Sequence, residues 1–320
     1  MVALGGGHGL AATLTALRRL TDQITAIVGV ADDGGSSGRL RAQFGILPPG
    51  DLRMALAALC GDDTWGRTWS QVIQHRFGGD GDLSGHSLGN LLITALWEQT
   101  HDAVEGLDWI AALLEAQGRV LPCATVPLEI VADVRGLSPT DPDELVLLRG
   151  QVSVASTAGK VVDIRLEPAQ PPACAEAVMA LQQADGIVLG PGSWFTSVLP
   201  HLLIPELGEA ILTSPARRVV VMNVDPSRDQ ETAGLPLAEH LRVMHRLLPG
   251  LRVDVVIVDP MDLDPMDPDP AIRGFGDHGS LRAACESLGA RLEVATVRST
   301  SRPGTHDPDR LAVALRAALG

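Results

Sequence analysis

Short, nearly continuous apolar runs alternate with longer amphipathic stretches along most of this chain, and the runs stop at glycine, serine or an acid. Residues 24–30 (ITAIVGV) predict a buried strand, and 185–190 (DGIVLG), 218–224 (RVVVMNV) and 253–259 (VDVVIVD) read the same way. Residues 2–4 form the end of a first strand, and Arg291–Val297 a last one. Between them the apolar spacing predicts helices over Leu10–Leu20, Leu52–Leu59, Trp65–His75, Val104–Gln117, Ala173–Ala184, Leu237–Leu248 and Leu281–Leu288. Further helices open at Ser87, as cap, at Trp194 and at about Asp309. In 104–117, Leu107, Ile110, Leu113 and Leu114 share a face, and Trp109 is assigned to the core. Strands alternating with helices predict an α/β fold with a doubly wound, mainly parallel sheet. Residues 119–168 break the rhythm. VLPCATVPLEIVADV, ELVLLRGQVSVAS and GKVVDIRLEP are short β-type runs between Pro and Gly. They read as a small β-rich insertion or side layer within one domain spanning 1–320, with Ser138–Glu144 as a turn. Residues 259–278 are rich in Asp and Pro without periodicity and read as a solvated loop; the spacing lacks the glycine and terminal Glu of a calcium-binding EF-hand.

The polar interruptions carry the chemistry. Gly5, Gly6, Gly7, His8 and Gly9 join the first strand to the first helix. Gly190, Pro191, Gly192 and Ser193 do the same after 185–190, with Thr196 and Ser197 in the following turn. Such a junction brings unshielded N–H groups and the positive end of a helix to one point, where phosphate binds. Two junctions at the C-terminal ends of parallel strands can border one crevice, and Asn223 stands at a third strand end. After 24–30 the chain delivers Asp32 and Asp33 into what reads as a loop of Gly34, Gly35, Ser36, Ser37 and Gly38, followed by Arg39 and Arg41. The acids can hold a metal, a ribose or a proton while the backbone of the loop faces an anion. Pro48-Pro49-Gly50 then breaks the chain, Asp51 reads as a helix cap, and Arg53 follows as a charge partner for phosphate. His86, Ser87 and Asn90 can share a face at a helix start. That cluster suits a phosphate or sugar contact, and equally a polar plug in a buried loop.

Composition narrows the choice. A net charge of −14 disfavours nucleic acid and anionic membranes as partners, and no apolar run is long enough to span a bilayer. No basic-then-apolar leader opens the sequence, so no secretory signal is expected. The four cysteines (Cys60, Cys123, Cys174, Cys285) lack paired spacing and read as core residues in a reducing cytoplasm. With no Tyr and few Phe, broad aromatic platforms are scarce. Asp32, at the end of the second strand, stands where a ribose-binding acid lies in dinucleotide folds, but Leu10 replaces the fingerprint's third glycine; NAD therefore remains a third option.

The strings GGGHGL, VADDGGSSGRLR, LPPGDLRMAL, SGHSLGNLL, QGRVLP and GPGSWFTSVLP run in that order between residue 3 and about residue 224. They resemble the gluconeogenesis factor family (YvcK type) of the CofD-like superfamily, which also holds the 2-phospho-L-lactate transferases. His8 stands where many members have threonine, and beyond Asn223 the likeness is looser. The resemblance implies a Rossmann-like three-layer fold, a cytoplasmic location and a nucleotide site at the strand ends. It implies binding of a UDP-sugar, UDP-N-acetylglucosamine in particular, and a role linking growth on gluconeogenic carbon to cell wall and cell shape. The transferase branch moves a phospholactyl group from a guanosine diphosphate-linked donor to a deazaflavin alcohol with a divalent metal; there Asp32 and Asp33 would be the catalytic acids or ligands of Mg2+. The scarcity of aromatic residues favours binding over that reaction. The expectation is a UDP-sugar-binding regulator in which the glycine turns hold the diphosphate and Asn223, Ser87 and Asn90 contact sugar or nucleoside. Arg39, Arg53 and loop 298–306 would neutralise charge, and a homodimer is compatible with the chain.

Overall fold

Every strand of the central sheet is short, and most are buried on both faces, as a parallel sheet covered by helices requires. The computed structural model describes residues 1–224, 230–232, 234–263 and 278–320. Strand β1 (Val2–Gly5) leads into α1 (Gly7–Leu17) and back through β2 (Thr25–Val28). Helices α2 (Gly35–Phe44), α3 (Gly50–Leu59), α4 (Thr64–Gln74), α5 (Leu88–Thr100) and α6 (Ala103–Leu114) precede β3 (Arg119–Pro122). A separate unit then forms from β4 (Glu129–Arg135), β5 (Val146–Arg149), α7 (Gln151–Ala155) and β6 (Lys160–Glu167). The main rhythm resumes with α8 (Ala175–Gln182) and β7 (Gly186–Leu189), a π-helical turn at Trp194–Val198, α9 (Pro205–Thr213) and β8 (Arg217–Val221). It closes with α10 (Leu237–Leu247), β9 (Val255–Val258), α11 (His278–Ser287), β10 (Arg291–Val294) and α12 (Pro308–Leu319).

The main sheet has seven parallel strands in the order β10-β9-β8-β7-β1-β2-β3, and a three-stranded antiparallel sheet has the order β5-β4-β6. From β1 the chain builds outward through β2 and β3, then returns to build the other way from β7. The switch point therefore lies between β1 and β7, where an open α/β sheet forms its binding crevice.

Several expectations need correction. The β-rich insertion is smaller than 119–168, because Arg119–Pro122 pairs in parallel with β2 and belongs to the main sheet. Residues 151–155, read as part of a β-type run, form α7. The glycine-serine segment after Asp33 is the start of α2, not a loop: Gly34 is its N-cap and Gly35, at φ +47°, its first residue. Trp109 is not core. It is 60% exposed, on a face of α6 turned from the neighbouring helices. The last strand ends at Val294, before the predicted Val297. Most of 259–278, along with Asp225–Asp229, lies outside the described residues. The four cysteines are buried and free, and no helix among the described residues is long and apolar enough to cross a membrane.

Candidate functional site

The two glycine turns meet back to back at the switch point. A side chain on Gly9 would stand 1.9 Å from the Pro191 carbonyl oxygen, so only hydrogen lets the turns approach this closely. Gly7, at φ +58°, opens α1 in a conformation suited to glycine. The second turn is held from β8: Asn223 Oδ1 accepts from the Gly192 amide at 2.7 Å, and Nδ2 donates to the Gly192 carbonyl at 2.8 Å. Between them is a crevice of about 350 Å³ lined by Gly6–Gly9, Asp32, Asp51, Gln151, Pro191–Ser193, Ser197, Asn223 and Gly304–His306. The first residues of α1 lie on its wall, and their amides have no intrahelical acceptors, the Gly7 amide being taken by Asp51. Among the described residues no lysine or arginine lines it.

Its acidic pair is Asp32 with Asp51, not Asp32 with Asp33. Asp32 Oδ1 accepts from its own Gly34 amide at 2.9 Å. Asp33 turns away, accepting at 3.0 Å from the Val152 amide at the start of α7, and so fastens the small sheet to the crevice rim. Asp51 is not a cap but lies in the first turn of α3, where its carboxylate accepts from the Gly7 amide. Burial, and then the Asp32 charge, push Asp51 up to about 7, against the Gly7 hydrogen bond and Arg53. Arg53 itself is lowered to about 10, first by burial and then by Arg76.

Of the residues expected at a ligand site, the crevice gathers Gly6, Gly7, His8, Gly9, Asp32, Gly192, Ser193 and Asn223. Gly5 and Gly190 pass beneath it, with the Gly190 amide on the Leu4 carbonyl. A second group is gathered elsewhere, beneath α2 and α5. Arg53 Nε donates to Asn90 Oδ1 (2.9 Å), Asn90 Nδ2 to Ser36 Oγ (3.0 Å), and Ser36 Oγ meets His86 Nδ1 (2.9 Å). All four are buried, as are Ser37, Ser87 and Thr196. Arg53, Asn90, Ser36 and His86 thus satisfy one another, the bonding a polar plug requires, whereas Ser87 Oγ and Thr196 Oγ1 are buried with no hydrogen-bond partner among the described residues. Arg39 donates to the Ser84 carbonyl at 2.6 Å and braces the same loop, and Gly34 and Gly35 lead into α2 there.

Asp51, Gln151 and Ser197, not singled out as contacts, also line the crevice, as do Thr305 and His306 of the loop 298–306 expected beside the phosphates. Asp51 carried a signal, an acid directly after Pro-Pro-Gly, but the capping reading absorbed it. Loop 297–306 reaches the crevice because Asp259, at the end of β9 and 1% exposed, accepts from the Met261, Val297 and Arg298 amides. Asp307 then caps α12, accepting from the Asp309 and Arg310 amides.

The protein family described as 2-phospho-L-lactate transferase CofD matches residues 1–269. A Mycobacterium leprae (strain TN) protein named "Putative gluconeogenesis factor" is 50% identical over 317 residues, covering 98% of this chain and 84% of its own. The "Gluconeogenesis factor" of Bacillus subtilis (strain 168) is 35% identical over 258 residues, 81% of this chain and 78% of its own. A crystal structure of a UPF0052 family member from Bacillus halodurans superposes with a TM-score of 0.83 at 33% identity, covering 98% of this chain and 97% of that one. With the fold and the match agreeing over most of its length, the chain belongs to the CofD family, among relatives named as gluconeogenesis factors.

Proposed function

We propose that this chain is a cytoplasmic, non-catalytic sensor that binds a nucleotide diphosphate-linked sugar of the UDP-N-acetylglucosamine type. By its bound state it links gluconeogenic carbon metabolism to cell-wall synthesis and cell shape. One observation carries the reading: two glycine turns converge on a single crevice at the sheet's switch point. The N-terminus of α1 and the amides of the turns other than Gly7 and Gly192, which Asp51 and Asn223 take, would supply anion donors where a diphosphate needs them. Asp32, Asp51 and Gln151 supply acceptors for sugar hydroxyls beside it. The test is calorimetry with UDP-N-acetylglucosamine, UDP-glucose, GDP and NAD, with and without Mg2+, on wild type and Asp32→Ala. UDP-sugar binding that weakens in the variant, with the sugar recovered intact after long incubation, supports the sensor. Preference for GDP or NAD overturns it.

Transfer chemistry is the second reading, favoured by the Asp32–Asp51 pair. An acid with its pKa near 7 can take a proton from an attacking alcohol close to neutral pH. Mg2+ fits these residues only in company with the ligand. Among the described residues no three acids, His or Cys gather for a metal, whereas Mg2+ is ordinarily held by one or two carboxylates plus phosphate oxygens and water. Asp32 and Asp51 would hold it, and it would neutralise charge on the diphosphate.

A further inference from the structure

Cys123 and Cys174 stand where the main sheet hands the chain to the small sheet and takes it back: Cys123 follows β3, and Cys174 is the N-cap of α8. The segments that hold them run antiparallel. Ala124 bridges Ala173, the Thr125 amide donates to the Pro172 carbonyl at 3.1 Å, and the Cys174 amide to the Cys123 carbonyl at 3.4 Å. That register puts Cys123 directly opposite Cys174, with both side chains on one face. Cα atoms so paired stand about 5.5 Å apart, inside the roughly 4.4–6.8 Å that a disulfide spans without backbone movement. A charge on Cys174 also acts on Cys123, whereas Cys60 feels Arg18 and Cys285 feels Glu286.

Both thiols are free and buried, yet Cys174 is one side chain away from solvent. Its Sγ donates to Glu176 Oε2 at 3.2 Å, and Glu176 lines a hollow of about 490 Å³ together with Arg119, Leu121 and Met179. Burial pushes Cys174 up to about 11 and Cys123 up to about 12. Thiolate is therefore scarce at neutral pH, and the pair answers to sustained exposure rather than to a brief pulse.

We infer that Cys123 and Cys174 are an oxidation site, which a hydroperoxide entering the hollow beside Glu176 converts into an intramolecular disulfide stapling the base of the small sheet. Cys174 loses its proton to Glu176 and attacks one peroxide oxygen. The O–O bond breaks, Cys174 becomes a sulfenic acid, and the departing oxygen takes the proton from Glu176. Cys123 then attacks the Cys174 sulfur, the S–O bond breaks, and the hydroxide released leaves as water with the Cys123 proton. In sum two thiols lose two electrons and two protons, and hydrogen peroxide becomes two waters. The disulfide closes 124–173 into a ring that carries β4, β5, β6 and α7, and with α7 the Gln151 of the crevice. This site is independent of what the crevice binds.

The test is peptide mapping of the full chain after long exposure to hydrogen peroxide, with alkylation in denaturant. Reduced protein should take four alkyl groups, one for each cysteine, and oxidised protein two fewer. Trypsin cuts between the pair at Arg135 and Arg165, so the peptides holding Cys123 and Cys174 should be found joined, and dithiothreitol should part them. Closing a ring of about 50 residues restricts the unfolded chain more than the folded one, so the oxidised protein should melt at least about 5 °C higher until reduced. Cys123→Ser should lose both the link and the rise; should that variant fail to fold, the wild-type map decides. Four thiols still open to alkylation, a link through Cys60 or Cys285, or a link between two chains overturns the site. A link formed without the rise overturns the staple.

Discussion

Gly9→Ala should force the two glycine turns apart and abolish ligand binding. The added methyl would stand 1.9 Å from the Pro191 carbonyl oxygen and 2.9 Å from the Gly192 nitrogen. Ordinary contact for a carbon atom begins near about 3.5 Å, so the backbones must separate by roughly 1.6 Å. Neither neighbour is a flexible side-chain tip. Pro191 is ring-constrained, and Gly192 is gripped on both sides by the Asn223 amide. Two effects of opposite sign compete. Helix propensity favours alanine by up to about 1 kcal/mol, whereas overpacking costs about 1–3 kcal/mol or more. A main-chain overlap of this size belongs at the upper end, so packing wins. Each kcal/mol lowers the melting temperature by about 2–4 °C in a domain somewhat smaller than this one, so a fall of roughly 5 °C is expected by scanning fluorimetry. Affinity for a UDP-sugar, read by calorimetry, should fall at least about tenfold, because the donors of the two turns no longer converge. Gly78→Ala, which meets nothing within 4 Å, is the control and should leave affinity unchanged. A Gly9→Ala protein that melts at or above wild type and binds normally would refute the back-to-back packing of the turns.

Other substitutions probe the supports of the crevice. Asp51 titrates near 7 in the fold, above the usual carboxylate value of about 4 in an unfolded chain. Between those pH values the native form holds a proton that the unfolded chain has lost, so stability should fall as pH rises from about 4 to about 7 and level off above. Asp51→Asn should flatten that slope in urea titrations across this range; an unchanged slope would show that Asp51 does not cause it. Asp33→Ala removes the acceptor for the Val152 amide. It should cost about 1–2 kcal/mol and speed hydrogen exchange at 150–155, while exchange in β1 stays as it was. Asp259→Ala strands the Met261, Val297 and Arg298 amides and breaks the Arg298 ion pair. A loss of about 3 kcal/mol is expected, with faster exchange in 297–306; normal protection there would show that Asp259 does not hold the loop.

The parallel sheet was legible because its strands are buried on both faces, so Ile27–Val28, Ile187–Leu189 and Val255–Val258 appear as unbroken apolar runs. The glycine turns were legible for a related reason: only glycine tolerates backbone at the distance of Gly9 from Pro191. What the sequence hides is which way a polar side chain turns. Asp32 and Asp33 are adjacent and alike, yet one faces the crevice and the other reaches an amide more than a hundred positions away. Ser36, Arg53, His86 and Asn90 look like ligand contacts for the same reasons that make them good partners for one another. Arg119 likewise gave no sign that it opens an edge strand of the main sheet, since four residues between a helix and a proline carry little periodicity.

Charge sets the final constraint on what this crevice can hold. A diphosphate diester brings two negative charges to a wall that already carries Asp32 and Asp51 and, among the described residues, offers no lysine or arginine. The end of α1 contributes the equivalent of about half a positive charge, which does not balance that sum. Two means of balance are within reach. Asp51 can remain protonated, as its raised pKa permits below neutrality, or a divalent cation can enter with the ligand and bridge carboxylate to phosphate. The two are alternatives at one atom, because a proton on Asp51 displaces the metal. Arg53, which does not line the crevice, donates instead to Asn90 and lowers the Asp51 pKa from behind the wall. Under the proposed function, a crevice whose described lining joins backbone donors to acids, with Arg53 held behind the wall, would favour an anion that arrives with its own cation.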